Sequence, residues 1–198
     1  MILLPLLCAA YLLGSIPTGV LVGRLKGVDV RRQGSGNVGA TNVARVVGKL
    51  PGLFVLLVDV AKGWAPVAVL SRFALPGQDP AMVRILLGVA AVAGHIWNPF
   101  LQFNGGKGVA TALGVLFALD VRIGLGALGV FLVAAFTTRY VSVASIAAAM
   151  AAPFLMAAFG APTCWVIGGV VVGIAVIARH RSNILRLMHR EEPPIGRR

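Results

Sequence analysis

The sequence predicts an all-α integral membrane protein of seven transmembrane helices, and three observations carry that prediction. The 198 residues are 58% hydrophobic and only 12% charged, whereas a soluble domain carries about 25% charged residues. Mean hydropathy is +0.90, and the apolar residues come in runs long enough to cross a bilayer. The 18 Lys and Arg outnumber the 6 Asp and Glu, for a net charge of +12, and they gather in the gaps between those runs. No internal repeat or linker interrupts the pattern, so residues 1–198 are expected to form a single polytopic domain.

Five runs are plain: residues 1–23, 50–71, 83–99, 141–159 and 162–178. The first has no basic leader and no small-residue cleavage site, so it is expected to be a retained span. A sixth stretch opens at Gly108 and closes at Thr138 (residues 108–138), long for one crossing of about 20 residues and short for two. Charge arbitrates. Crossing once would put Asp120 and Arg122 mid-bilayer, at a cost of roughly 2.5–3.5 kcal/mol each. Crossing twice, as a hairpin of short helices, makes them the turn. Fourteen Lys and Arg then fall on one side, against Arg72, Arg84 and Arg122 on the other. That asymmetry is what positive-inside topology requires. The amino terminus is therefore expected outside and the carboxy terminus in the cytoplasm, with a polar, disordered tail over residues 188–198.

This topology places four polar segments on one face. RRQGSGNVGATN, FNGGKG, TRYVSVAS and RHRSNILR follow spans one, three, five and seven. All four are expected at the cytoplasmic surface.

In the first segment, Gly34, Gly36 and Gly39 fit G-x-G-x-x-G. A dinucleotide fold would need a strand before the motif and an acidic residue about 20 positions on, and a transmembrane run precedes it instead. What survives is general: glycines let backbone N–H groups crowd around an anion, beside Ser35, Asn37, Thr41 and Asn42. An ordinary surface turn, with Ser35 or Thr41 capping the helix that follows, remains open. In the second segment Gly105, Gly106 and Gly108 surround Lys107 just ahead of a helix expected from Val109. A cation there opposes the helix dipole unless an anion sits between them. The fourth segment offers His180, Asn183 and Arg186 on one helical face. The third offers Ser142 and Ser145, a pairing also common as glue between membrane helices. Asp59 and Lys62, three apart inside span two, are expected to pair as a structural brace, and His95 to be a structural histidine.

The absences narrow the chemistry. No carboxylate lies in the glycine segments, no H-x-x-x-x-D or G-x-S-x-G occurs, and no cluster of Asp, His or Cys suits a metal. Cys8 and Cys164 sit in apolar runs as small hydrophobes. No aromatic residues interleave with the basic ones, so nucleic acid is not an expected partner. A site rich in cations, hydroxyls and backbone donors, and poor in bases, suits phosphate binding and a substrate that is already activated.

GSGNVGATN with Arg45 in TNVAR, then GH and FNGGKGVAT, then HRSNILRL resemble the three motifs of the bacterial acyl-phosphate:glycerol-3-phosphate acyltransferases, the PlsY family. DVAKG, around Asp59 and Lys62, is similar to a fourth signature, and the resemblance runs to about Leu187. It implies a seven-span enzyme of the bacterial inner membrane, with its active site on the cytoplasmic face. The reaction implied moves a fatty acyl group from acyl phosphate to the sn-1 hydroxyl of glycerol 3-phosphate, making lysophosphatidic acid for phospholipid synthesis. No cofactor is implied. Acyl phosphate would come from a soluble partner enzyme, and the acyl chain would lie in membrane lipid or a groove between spans. Carried onto this chain, Ser35, Arg45, Lys107, His180 and Asn183 are the expected catalytic residues. Gly34, Gly36, Asn37, Gly39, Thr41, Asn42, Gly105, Gly106, Ser142 and Ser145 are the expected substrate-binding ones. Proton acceptance by a substrate phosphate or by His180 stays open. So do a phosphate-ester transporter, which would bind near the bilayer midplane, and a non-catalytic scaffold for soluble lipid-synthesis enzymes.

Overall fold

The computed structural model describes residues 3–74 and 76–196, so the first two positions of the first expected span and the last two of the tail lie outside it. Among the described residues the fold is entirely helical. Its elements are α1 Leu3–Gly14, α2 Thr18–Leu25, α3 Ala40–Val46, α4 Lys49–Ala68, α5 Pro80–Ile96, α6 Val109–Leu119, α7 Val121–Thr138, α8 Val141–Ala158, α9 Thr163–Arg179 and α10 Arg181–Met188.

The first apolar run is one segment broken in the middle. Helix α1 ends ahead of Pro17, which has no N–H to donate, and at the break the carbonyls of Ser15 and Ile16 also take side-chain partners from other spans. Asn98 Nδ2 donates to Ser15 O at 2.6 Å and Lys62 Nζ to Ile16 O at 2.9 Å. Lys62 also pairs with Asp59 at 2.8 Å, with both side chains 4% exposed. Span two thus carries two charges because span one is broken opposite them.

The ambiguous stretch forms two helices that meet at Asp120, which caps the second by accepting a hydrogen bond from Arg122 N at 2.8 Å. The first helix, α6, has 11 residues, so it rises about 16 Å where the hydrocarbon core is about 30 Å. A helix that stops short leaves open carbonyls. The guanidinium of Arg84, reaching across from α5, donates to Ala118 O and Leu119 O and lies over the Trp165 ring at 5.3 Å. Among the described residues, five segments are long and apolar enough to cross a membrane: Leu3–Leu25, Lys49–Phe73, Pro80–Leu101, Val121–Thr138 and Val141–Ala158. The pair α9 and α10, bent by 55°, makes a sixth if taken as one span.

Glycine lets the helices touch backbone to backbone. A Cβ on Gly63 would lie 2.0 Å from Thr111 O, and one on Gly114 1.9 Å from Val60 O, which welds α6 to α4. Gly14 and Gly94 do the same for α1 and α5. The largest buried cluster gathers Ile85, Val92, Ile96, Val115, Ile123, Met156 and Trp165 between α5, α6, α7, α8 and α9. Phe136 and Phe154 project outward, 89% and 75% exposed, as lipid-facing side chains do.

After α10 the chain folds back: Glu192 is buried, and Ile195 N donates to Arg139 O at 2.7 Å. A run of Glu and Pro reads as solvated only until its carboxylate meets cations, and here it meets them.

Candidate active site

The diglycine loop is built for closeness. Gly105 N donates to Ile96 O at 3.0 Å and Gly106 N to His95 O at 3.1 Å, which closes the loop against the end of α5. A Cβ at Gly105 would sit 2.0 Å from His95 O, and one at Gly106 2.2 Å from His95 Nε2. Arg179 holds the loop from the other side, donating to Gly105 O at 2.9 Å and Gly106 O at 3.3 Å. The backbone donors of both glycines are therefore spent inside the protein. These glycines are small enough for the loop to pack against His95. Gly108, at φ +87°, then turns the chain into α6.

What the loop delivers is Lys107. Its ammonium donates to Asn183 Oδ1, joining the second polar segment to the fourth. Asn183 Nδ2 donates in turn to Glu192 Oε1 at 2.6 Å, and Arg186 Nε to Glu192 Oε2 at 2.8 Å. Burial pushes the Lys107 ammonium down to about 8, with Glu192 opposing and Arg186, Arg179 and Arg45 adding to the fall. Burial pushes the Glu192 carboxyl up, but Asn183, Ser142 and Arg186 outweigh it and hold the group below its ordinary value. The Ser142 hydroxyl stands beside that carboxylate yet completes no hydrogen bond. Ser145 is different: its hydroxyl is turned back on Val141 O at 2.8 Å.

His180 lies at the break between α9 and α10, 2% exposed, with Nδ1 2.8 Å from Val176 O. Burial is the main reason its imidazole falls to about 4. It is neutral at physiological pH, Nδ1–H donating to Val176 O and Nε2 left as an acceptor.

The first glycine loop is organised by Asn42, which is 1% exposed. Its amide nitrogen donates to Val30 O at 2.9 Å and Gln33 O at 3.0 Å, and its oxygen accepts from Ser35 N at 2.9 Å. Asn42 shapes the loop from within. Neither Ser35 nor Thr41 caps α3, whose cap position is Gly39. Gly34, Ser35, Gly36, Thr41 and Arg45 are exposed, and Asn37 Oδ1 accepts from Gly39 N at 3.4 Å. Arg45 is near enough to press on the Lys107 charge.

The fold thus brings Lys107, Asn183, His180, Ser142 and Arg45 into one cationic cluster. Sequence reasoning missed Glu192 and Arg179. Arg179 stands at the head of RHRSNILR and was legible as part of that segment. Glu192 was legible only as one of six carboxylates in a cation-rich chain. Among the described residues, no three His, Cys, Asp or Glu side chains gather as a metal centre.

The model of the family described as "Glycerol-3-phosphate acyltransferase" matches residues 4–190. The glycerol-3-phosphate acyltransferase of Synechococcus sp. (strain CC9902) is 47% identical over 192 residues, 96% of this chain and 94% of that protein. That of Synechococcus elongatus is 48% identical over 194 residues, covering 96% and 92%. The crystal structure of PlsY, an integral membrane glycerol 3-phosphate acyltransferase, in its glycerol 3-phosphate form superposes with a TM-score of 0.93 at 41% identity. It covers 99% of this chain and 96% of that one. The lysophosphatidic acid form superposes at 0.90.

Proposed function

The chain belongs to the membrane-embedded glycerol-3-phosphate acyltransferase family, and from that premise we propose that its acyl donor is acyl phosphate. The acyl group goes to the sn-1 hydroxyl of glycerol 3-phosphate, and the products are 1-acyl-glycerol 3-phosphate and inorganic phosphate. The hydroxyl oxygen attacks the acyl carbon, the bond from that carbon to the phosphate oxygen breaks, and phosphate leaves with the electron pair.

One observation carries this reading: Lys107, from the diglycine loop, meets Asn183, from the last polar segment, beside Arg45 and Arg186. Cations and amides held in place before reaction stabilise charge as it develops, and in many enzymes this accounts for most of the rate gain. Acyl phosphate is a mixed anhydride, so neutralising its leaving phosphate is the main task. Lys107, Asn183 and Arg45 take that role, and Ser35 on the exposed first loop is assigned to the second phosphate. His180 positions rather than abstracts. An imidazole at about 4 is a weaker base than a phosphate monoester, whose second pKa is about 6. The hydroxyl proton therefore passes to a substrate phosphate.

The single domain crosses the bacterial inner membrane seven times, with α6 and α7 as a short hairpin, its amino terminus outside and the site in the cytoplasm. Glycerol 3-phosphate is named in one form of the similar PlsY structure, and lysophosphatidic acid, the proposed product, in the other. No cofactor takes part, and a soluble enzyme supplies acyl phosphate. A transporter would use charge at the midplane, but Lys62 and Asp59 are occupied with each other and with Ile16 O. Assay of the purified protein in detergent tests the reading. Acyl phosphate and glycerol 3-phosphate should turn over without a sealed compartment, and no turnover under those conditions would sink it.

A further inference from the structure

Beneath the two glycine loops lies a buried polar hub, made of Asp59 and Lys62 on α4, His95 at the end of α5, and Asn98 just beyond it. The hub encloses a cavity of about 10 Å³, with Val38 and Gly19 on its far wall. Most of its polar groups are spent. Lys62 bonds Asp59 and Ile16 O, and Asn98 donates to Ser15 O while its oxygen accepts from Phe100 N. His95 differs. It is 6% exposed, it lines the cavity, and its Nδ1 has no hydrogen-bond partner among the described residues. An orphaned polar atom at such depth is costly, and a polar space of this size is about what one water needs.

We infer that this cavity holds one ordered water bonded to His95 Nδ1 and to the Asp59–Lys62 pair, and that His95 is thereby a positioning residue for Lys107.

The other edge of the same ring reaches the diglycine loop. Nε2 faces Gly106 so closely that a Cβ there would approach within 2.2 Å, and the His95 carbonyl accepts from Gly106 N. Ring and backbone of one residue thus seat the loop whose next member is Lys107. A water anchoring Nδ1 to a buried ion pair fixes the ring's tilt, and the tilt fixes the loop. The ion pair is itself tied to the break in span one. The cavity wall also includes Val38, whose carbonyl would lie 1.8 Å from a Cβ on Gly19, so the first glycine loop rests on the same hub. His95 needs no contact with a reacting atom to matter: a displacement of about 1 Å in a positioned group can cost 10²-fold in rate.

Amide replacements separate the ring's two nitrogens, since Asn places a polar atom near the position of Nδ1 and Gln near that of Nε2. The full-length protein is purified with His95→Asn, His95→Gln and His95→Ala. Only the kinetic arm rests on the acyltransferase reading. In it, His95→Asn should keep kcat within about twofold of wild type. His95→Gln and His95→Ala should lower kcat about tenfold or more, with the KM for glycerol 3-phosphate changing less. In the crystallographic arm, wild type and His95→Asn should show solvent density within hydrogen-bond distance of the residue-95 side chain and of Asp59 or Lys62. If His95→Ala does not fold, the Asn and Gln pair still decides. Equal loss in both amide variants, or a cavity without density in the wild type, would overturn the inference. A wild type without turnover would count against the acyltransferase reading, and the density would still decide the water.

Discussion

Lys107 donates a hydrogen bond to the side-chain oxygen of Asn183, a residue 76 positions away in sequence. The bond joins the loop after α5 to the helix after α9, and Arg45 of the first loop presses on the same ammonium. Three polar segments of a hydrophobic chain therefore share one cation. The charge of that cation is the most direct handle on the mechanism.

Lys107 is cationic below about 8 and loses its proton as pH rises through that value. If it neutralises the leaving phosphate, kcat/KM should fall with an alkaline limb near the same pH. Lys107→Arg should carry that limb to higher pH, because guanidinium does not titrate there. Lys107→Ala should lose about 10²–10³ in kcat/KM. Initial rates across pH 6 to 10 check all three.

Glu192 raises the affinity of Lys107 for its proton. Glu192→Gln keeps the shape and still accepts from Asn183, but removes the charge. The alkaline limb should then move to lower pH than in wild type. Glu192→Ala leaves Asn183 Nδ2 and Arg186 without their partner, so it should cost about 1–3 kcal/mol of stability as well. Thermal unfolding beside the pH–rate profile distinguishes the two effects.

His180 is buried and neutral, and a substrate phosphate is the stronger base. His180→Ala should therefore lower kcat only about tenfold, whereas loss of a true general base costs about 10²–10⁴. Single-turnover rates at saturating acyl phosphate measure it.

The two serines of α8 should part company. Ser142→Ala removes a buried hydroxyl that faces the Glu192 carboxylate and has no partner of its own. If that free hydroxyl donates to a substrate phosphate, its loss should lower kcat/KM about tenfold, the worth of one hydrogen bond to a charged group at about 1.5 kcal/mol. Ser145→Ala removes only a bond to its own helix and should change kcat/KM less than about twofold. Parallel kcat/KM measurements on the two variants compare them.

Much of this was legible in the sequence because the bilayer constrains so much. Asp120 and Arg122 marked the break between α6 and α7, since charges are costly inside an apolar run. Lys107 and Asn183 stood out because their neighbours were apolar. Gly105 and Gly106 are small enough to pack against His95, and no local pattern separates that need from anion binding. The bonds of Asn42 to Val30 O, Gln33 O and Ser35 N staple the loop from within, and only the fold reveals them. Ser145 shares a face with Ser142, but helical spacing does not say which way a hydroxyl turns. Glu192 was hidden by its setting, because its surroundings are polar groups from three other segments, Lys107, Ser142 and Asn183 with Arg186, that only the tertiary fold assembles.

The proposed chemistry is a direct acyl transfer, driven by cations and amides without a protein nucleophile. Rapid-quench measurement of phosphate release from acyl phosphate, with glycerol 3-phosphate omitted, is its sharpest test. Direct transfer should give no burst and no acylated protein. A burst of one phosphate per enzyme, with the acyl group trapped on a side chain, would contradict it.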